Sequence, residues 1–186
     1  MKKIKLLLLI IACANIFGNC KKPNNITDEP QLPPETQTGA YTFGCKVDGV
    51  IYKATGRASF LANQSVSYAY YSSDSSFNIS ATNSATKKFR FSMTFKCTNI
   101  NLPSTLIEYY PYGVSFQDIS NGTAPSGSNT YNTDNLRTGN VTIKFFNGTL
   151  APGNFGSILS GTFDFYAINA NGKIIHVTEG RFDSGI

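Results

Sequence analysis

Hydrophobic and polar positions alternate with a period of two over much of residues 40–186. In the clearest run, 88–97, every second residue is apolar and the residues between are Lys, Arg, Ser or Thr. This alternation is typical of strands with one buried face. Turn-forming residues recur at about the 8–12-residue spacing of sandwiches and barrels. The pattern predicts an all-β domain, a single antiparallel β-sandwich or a flattened, calycin-like barrel of roughly 8–10 strands.

Two turns set the register of predicted hairpins. Asp48-Gly49 suits a two-residue type I′ turn, which places the residues flanking it directly opposite each other. At Asn171-Gly172 a two-residue turn would mix apolar and polar faces. A three-residue loop with a left-handed glycine instead sets Phe165 opposite Val177 and keeps one face apolar, so we expect this longer loop.

The chain before residue 40 has a different composition. Residues 1–19 begin with lysines and continue with a short apolar run, as in a secretory signal peptide. The segment ending at Cys20 resembles a bacterial lipobox, so we expect Cys20 to be lipidated. Cleavage before Cys13 and ordinary soluble secretion are the alternatives. Residues 20–39 hold four prolines among polar residues and are predicted to be a tether, with the β-domain at 40–186.

The remaining cysteines, Cys45 and Cys97, each fall on the apolar face of a predicted strand. Export places them in an oxidising compartment, which favours a disulfide between them. Closing that loop would stabilise the fold by about 4 kcal/mol. Two buried free thiols are the alternative. These two cysteines and His176 are too few ligands for zinc. The acidic residues Asp118, Asp134, Glu179 and Asp183 leave calcium as an alternative but lack the spacing of a calcium-binding loop, so we predict no metal site and no cofactor.

Motifs near both ends of the β-domain point to a family. The first is Leu32-Pro33-Pro34-Glu35-Thr36-Gln37-Thr38-Gly39 followed by Phe43-Gly44-Cys45, and the second is Ser160-Gly161-Thr162-Phe163 followed by Gly180-Arg181-Phe182-Asp183. Together they resemble a family of uncharacterised envelope lipoproteins from Bacteroidetes bacteria. The resemblance implies a location in the cell envelope and the predicted fold, and it assigns no functional residue. We expect a lipid anchor at the outer membrane of a Gram-negative bacterium, on either its periplasmic or its surface side.

One polar cluster can be predicted from the hairpin register. His176, the single histidine of the chain, faces Tyr166, with Asp164 beside it on the polar face. Such a group can transfer protons. A solvated polar sheet face is the simpler interpretation.

Six tyrosines lie in two dense segments. Exposed tyrosines can stack on sugar rings, which would make these segments a binding patch. Core or edge packing is the simpler interpretation, although Pro111 within the second segment requires a sheet edge or a bulge. The candidates are Tyr68, Tyr70, Tyr71, Tyr109, Tyr110 and Tyr112.

Charge narrows the range of partners. The whole chain carries 16 basic and 11 acidic residues, but three lysines belong to the signal, so 20–186 has 13 basic residues against 11 acidic ones. This balance gives no argument for general polyanion binding, and nucleic acid is not an expected partner. A basic strand face, formed by Lys87, Lys88, Arg90 and Lys96, is interpreted as a solvated edge strand, with contact to anionic glycans as the alternative.

The sequence therefore predicts a cell-envelope lipoprotein whose β-domain is a non-enzymatic binding or structural module. Its partners would be the membrane, through the N-terminal lipid, and a glycan or an envelope protein. One histidine and few carboxylates argue against catalysis. An enzyme acting on envelope or extracellular glycans is one alternative. A carrier of small apolar ligands is another, if the sheet closes around a cavity.

Overall fold

The computed structural model describes residues 31–57, 59, 61, 63–71, 76–86, 88–96, 107–109, 111–120, 129–136, 139–147 and 157–185. This part of the chain contains eleven strands, β1 (Thr42–Val47), β2 (Val50–Thr55), β3 (Gln64–Tyr71), β4 (Ser76–Asn83), β5 (Phe89–Lys96), β6 (Ile107–Tyr109), β7 (Pro111–Asp118), β8 (Thr130–Asn132), β9 (Gly139–Phe146), β10 (Ile158–Asn169) and β11 (Ile174–Gly185). The all-β prediction is confirmed. Within these ranges, no helix has the length and apolar character needed to cross a membrane.

The strands form one antiparallel sheet that nearly closes into a barrel. Their order is β2-β1-β11-β10-β8-β7-β5-β4-β3, and β9 pairs with β10 and β6 away from this path. The two ends of the path meet where the amide of Val66 in β3 donates to the carbonyl of Gly56, just after β2, at 2.9 Å. The structure therefore has the barrel-like form of the predicted fold.

Both hairpins have the predicted register. Cys45 lies opposite Tyr52 across the first turn, and Phe165 lies opposite Val177 in the second hairpin. Gly172 has a φ of 79°, the left-handed conformation expected at that position of the loop. Turn chemistry and hydrophobic alternation thus agree on the pairing.

The predicted strand at 88–97 is β5, and its residues alternate between buried and more exposed positions. It pairs with β4 on one side and β7 on the other. Arg90 and Lys96 of the predicted basic face therefore belong to a central strand, Lys88 directly precedes it, and Lys87 lies outside the described residues. The interpretation of that face as a solvated edge is wrong, because both neighbouring strands occupy the backbone hydrogen-bonding positions of β5.

Aromatic rings from opposite walls meet inside the barrel. The ring centroids of Phe43 in β1 and Phe91 in β5 are 4.6 Å apart. The ring centroid of Phe163 in β10 lies 5.5 Å from that of Phe43 and 5.2 Å from that of Phe91. All three side chains are buried. Because rings from three strands fill this part of the interior, a ligand is better accommodated on the outer surface.

Cys45 is a buried free thiol, so the predicted Cys45–Cys97 disulfide is not formed in this structure. Cys97 itself lies outside the described residues. The topology explains why the disulfide is not formed. Tyr52 lies opposite Cys45 and contacts Phe89, which is the first residue of β5. Lys96, the residue before Cys97 in the sequence, is the last residue of β5 and lies about 23 Å further along that strand. Burial raises the pKa of the Cys45 thiol, which keeps it protonated and unreactive.

Residues 32–40 pack on the outside of the barrel, and we call them the strap. The compact unit that contains the barrel begins at Leu32, whereas the tether was predicted to continue to residue 39. Gly44 explains part of this docking, because a Cβ atom there would lie 2.4 Å from Cδ of Pro33. The strap thus covers the part of β1 where Gly44 presents no side chain.

Candidate functional site

Asp183 in β11 holds the strap in place. Its carboxylate accepts hydrogen bonds from Oγ1 of Thr36 at 2.6 Å and from the backbone amides of Thr38 at 3.0 Å, Gly39 at 2.8 Å and Ala40 at 3.2 Å. Burial alone would raise the pKa of Asp183, but these hydrogen bonds outweigh burial and hold the pKa below its ordinary value. We call this arrangement the latch.

A bulge in β11 shapes the outer surface beside the latch. Val177 and Phe182 both face the core although they are five positions apart. One extra residue is therefore inserted between them, at Glu179, which has a φ of 50°. The bulge directs both Glu179 and Arg181 outward. Arg181 Nη1 then reaches the strap and donates to the carbonyl of Pro33 at 3.3 Å.

Ion pairs balance the charges of this wall. Lys144 Nζ lies 2.5 Å from Oε2 of Glu35 in the strap, and Lys46 pairs with Glu179. The hydrogen bond and charge of Lys144 hold the pKa of Glu35 below its ordinary value. Both pairs are partly exposed, so each contributes about 0–1 kcal/mol to stability. Their main consequence is a surface that presents both charge signs without a large excess of either.

Two adjoining cavities open on this wall, and Glu35 and Arg181 line both of them. The first, which we call the strap cavity, has a volume of about 210 Å³ and lies between the strap and the sheet. Gln37 lines it from the strap, and Lys144 and Ser160 line it from the sheet.

The second cavity, which we call the groove cavity, has a volume of about 260 Å³. Its lining includes the amide of Asn140, the hydroxyls of Thr142 and Thr162, and the carboxylates of Asp164 and Glu179. Hydrogen-bond donors and acceptors are therefore both present on an open surface. This is the chemistry that a polyhydroxyl ligand requires.

The structure brings together the predicted cluster of Asp164, Tyr166 and His176 beside the groove cavity. His176 Nε2 lies 3.2 Å from Oδ1 of Asp164. The rings of Tyr166 and His176 stack across the hairpin with centroids 4.0 Å apart and planes 8° apart. Of the three, Asp164 alone lines the groove cavity, and Tyr166, which is 44% exposed, lies two residues further along the same face of β10.

The first tyrosine segment divides between two faces of β3. Tyr68 and Tyr70 face the core and lie against Phe77, with ring centroids 6.3 Å and 5.0 Å from it. Burial raises the pKa of Tyr68 to about 12. Tyr71 points the other way and is half-exposed. Tyr68 and Tyr70 are therefore packing residues, and the proposed patch of exposed tyrosines does not include them.

The second tyrosine segment is described only in part. Tyr109 and Tyr112 lie in β6 and β7, where the backbone alone is described, and Tyr110 lies outside the described residues. Pro111 pairs with β5 next to a register shift, as expected for a proline within a sheet. Cys20 also lies outside the described residues.

Several residues of the site were missed by sequence reasoning, among them Asp183, Glu179 and Arg181. Val177 and Phe182 are two apolar residues separated by an odd number of positions, and this spacing was the available signal for the bulge. The latch had no comparable signal, because it joins residues more than 140 positions apart. The two motifs behind the family resemblance nevertheless meet here, since the first contains Thr36 and the second contains Asp183.

No protein-family model, curated protein or solved structure matches this chain. The resemblance to Bacteroidetes envelope lipoproteins therefore stays a prediction, and the geometry of the site is what indicates a function. Among the described residues, no group of three or more His, Cys, Asp or Glu side chains could hold a metal ion.

Proposed function

We propose that the chain is a lipid-anchored lipoprotein of the cell envelope and that its β-domain is a non-enzymatic module that binds glycans. The groove cavity carries this proposal. Its lining combines three acidic residues, an arginine, an asparagine and two threonines, and the exposed ring of Tyr166 lies two residues beyond Asp164 on β10. Sugars present hydroxyl groups at their edges and apolar C–H groups on their faces, so polar side chains beside an aromatic ring suit both surfaces.

Two further observations support a neutral sugar over an apolar or strongly charged ligand. The part of the interior between β1, β5 and β10, where an apolar ligand would have to fit, is filled by Phe43, Phe91 and Phe163. On the outer wall, Glu35 is paired with Lys144, and Glu179 with Lys46. A site with paired charges can donate and accept hydrogen bonds without favouring anions or cations.

Replacing Tyr166 with alanine should weaken sugar binding by about tenfold, because the ring that contacts the sugar face is removed. Calorimetric titration of the whole protein with a panel of neutral monosaccharides and disaccharides would measure this change. Tyr71→Ala is the matched control, since Tyr71 is also an exposed tyrosine but lies on β3. Equal weakening in both variants would place the sugar elsewhere, and no binding by the unmodified protein would reject the proposal.

The hydrogen-bonded Asp164–His176 pair favours one alternative, an enzyme acting on glycans. A carboxylate that orients a histidine is a common arrangement for proton transfer. Incubation with any glycan that binds would distinguish the two functions. Cleavage products that disappear in His176→Ala would support the enzyme. Intact glycan after prolonged incubation supports the binding module, whereas capture of a stoichiometric envelope protein and no sugar would support a structural subunit.

The lipid anchor is tested separately from the ligand. Cys20→Ala should move the protein from the membrane fraction to the soluble fraction, because each buried CH₂ of an acyl chain contributes about 0.8 kcal/mol to membrane binding. Immunoblots of fractionated cells would measure this change. A variant that stays in the membrane fraction would contradict lipidation at Cys20, and Cys13→Ala provides the matched control.

A further inference from the structure

The strap cavity has two walls of different origin. Glu35 and Gln37 come from the strap, whereas Lys144, Ser160 and Arg181 come from the outer face of β9, β10 and β11. The strap makes no regular strand pairing with the sheet in the described structure. Its position depends on the latch, on contacts of Glu35 and Pro33 and on packing over Gly44. The cavity therefore exists only while the strap is docked.

Ser160 gives this cavity a group that a ligand can satisfy. Its side chain is 1% exposed, and its Oγ has no hydrogen-bond partner among the described residues. Leu159 lies in the core, so strand alternation directs Ser160 to the outer face of β10, beneath the strap. Burying a hydroxyl without a partner costs free energy. The Oγ atom itself is closed to solvent, so the Ser160 side chain has to rotate toward the cavity before a ligand hydroxyl there supplies the missing hydrogen bond.

The size and lining of the two cavities match adjoining sugar rings. Ligand sites for drug-sized molecules measure roughly 300–1,000 Å³, and each cavity is smaller than this range. Each is therefore suited to about one ring. Glu35 and Arg181 line both cavities and would lie next to the linkage between the two rings.

We propose that the strap cavity is a second sugar subsite, which Asp183 assembles by holding the strap, so that the site takes at least a disaccharide. This inference rests on the proposed function, because it places the first ring in the groove cavity. Ser160 forms a hydrogen bond with the second ring. Asp183 is a positioning residue, since it contacts the strap and acts on the ligand only through it.

Calorimetry on the whole protein tests the subsite with matched sugars, namely glucose against maltose and cellobiose, and N-acetylglucosamine against diacetylchitobiose. The unmodified protein should bind at least one disaccharide about tenfold more tightly than its monosaccharide. Asp183→Asn should bring the two affinities within about twofold by weakening the disaccharide much more than the monosaccharide, for which the strap supplies only Glu35. Ser160→Ala should weaken the disaccharide several-fold and leave the monosaccharide unchanged.

A second variant releases the strap by a different physical route. Gly44→Val suits a strand, but its side chain would occupy the position of Pro33. It should remove the disaccharide advantage as Asp183→Asn does. Asp48→Asn is the control, because the amide oxygen can still accept the 2.9 Å hydrogen bond from the backbone of His176, and asparagine tolerates the left-handed backbone at this turn.

Amide hydrogen exchange of Thr38, Gly39 and Ala40, measured without sugar, reports whether the strap is released. Rapid exchange together with a lost disaccharide advantage supports the subsite. Rapid exchange with an intact advantage would overturn the subsite and leave the proposed function standing. Protected amides in both strap variants would overturn the role of Asp183. Absence of sugar binding by the unmodified protein would reject both proposals, and equal mono- and disaccharide affinities would reject the second subsite alone.

Discussion

Phe43→Ala is expected to lower the free energy of unfolding by about 3–5 kcal/mol, the usual cost of removing a buried phenylalanine ring. Phe43 contacts Phe89, Phe91 and Phe163, which come from two other strands. Its loss leaves a cavity between walls that the surrounding backbone cannot close. Urea denaturation followed by circular dichroism would measure the change, and the melting temperature should fall by roughly 10 °C.

The controls make this result informative about ligand location. Tyr71→Ala should change stability by no more than about 0.5 kcal/mol, because Tyr71 is half-exposed. Phe43→Leu should cost less than Phe43→Ala, since most of the volume is retained. If Phe43→Ala costs under about 1 kcal/mol, the interior is not tightly packed. The apolar-carrier alternative would then be favoured over an outer sugar site.

Asp183→Asn is expected to lower the free energy of unfolding by about 2–4 kcal/mol at neutral pH. The three amides and two threonine hydroxyls that surround Asp183 are donors, and an asparagine would turn an NH₂ group toward some of them. Because the hydrogen bonds depress the pKa of Asp183 in the folded state, its contribution is complete above the unfolded value of 3.8. The contribution disappears as the pH falls through the lower, folded pKa.

Unfolding curves of the unmodified protein and Asp183→Asn, recorded from pH 7 to pH 2, test that dependence. The difference in stability should be constant down to about pH 4 and should then shrink. Asp48→Asn, with its single accepted bond from His176, should show a much smaller difference at neutral pH. The contradicting result is that the free energies of unfolding of Asp183→Asn and the unmodified protein differ by the same amount at every pH. That result would mean that the ionised carboxylate does not hold the strap.

The barrel could be predicted from the sequence because hydrophobic alternation and turn chemistry each act over only a few residues. Alternation in β5 and the turn at Gly172 identified faces and pairings that the structure confirms. The prediction that failed concerns two residues that are far apart in the sequence. Alternation places Cys45 and Cys97 on apolar faces, but it does not say that Cys45 is near the first residue of β5 while Cys97 follows its last residue.

The site was only partly predictable for the same reason. Asp164, Tyr166 and His176 belong to one hairpin, so register alone brought them together. The latch joins Asp183 to Thr36 across almost the whole domain, and the proline-rich composition of the strap favoured a tether. Hydrogen bonds to a buried carboxylate dock a segment that has little apolar surface of its own.

Amide chemical-shift mapping during a sugar titration tests the proposed site most directly. The titrant is whichever disaccharide of the panel binds, and the protein is the isotope-labelled whole chain. Shifts should concentrate on residues 35–40 of the strap and on Thr162, Asp164 and Arg181 around the two cavities. Shifts confined to the β3–β4–β5 wall or to interior residues such as Phe91 would contradict a glycan site beneath and beside the strap.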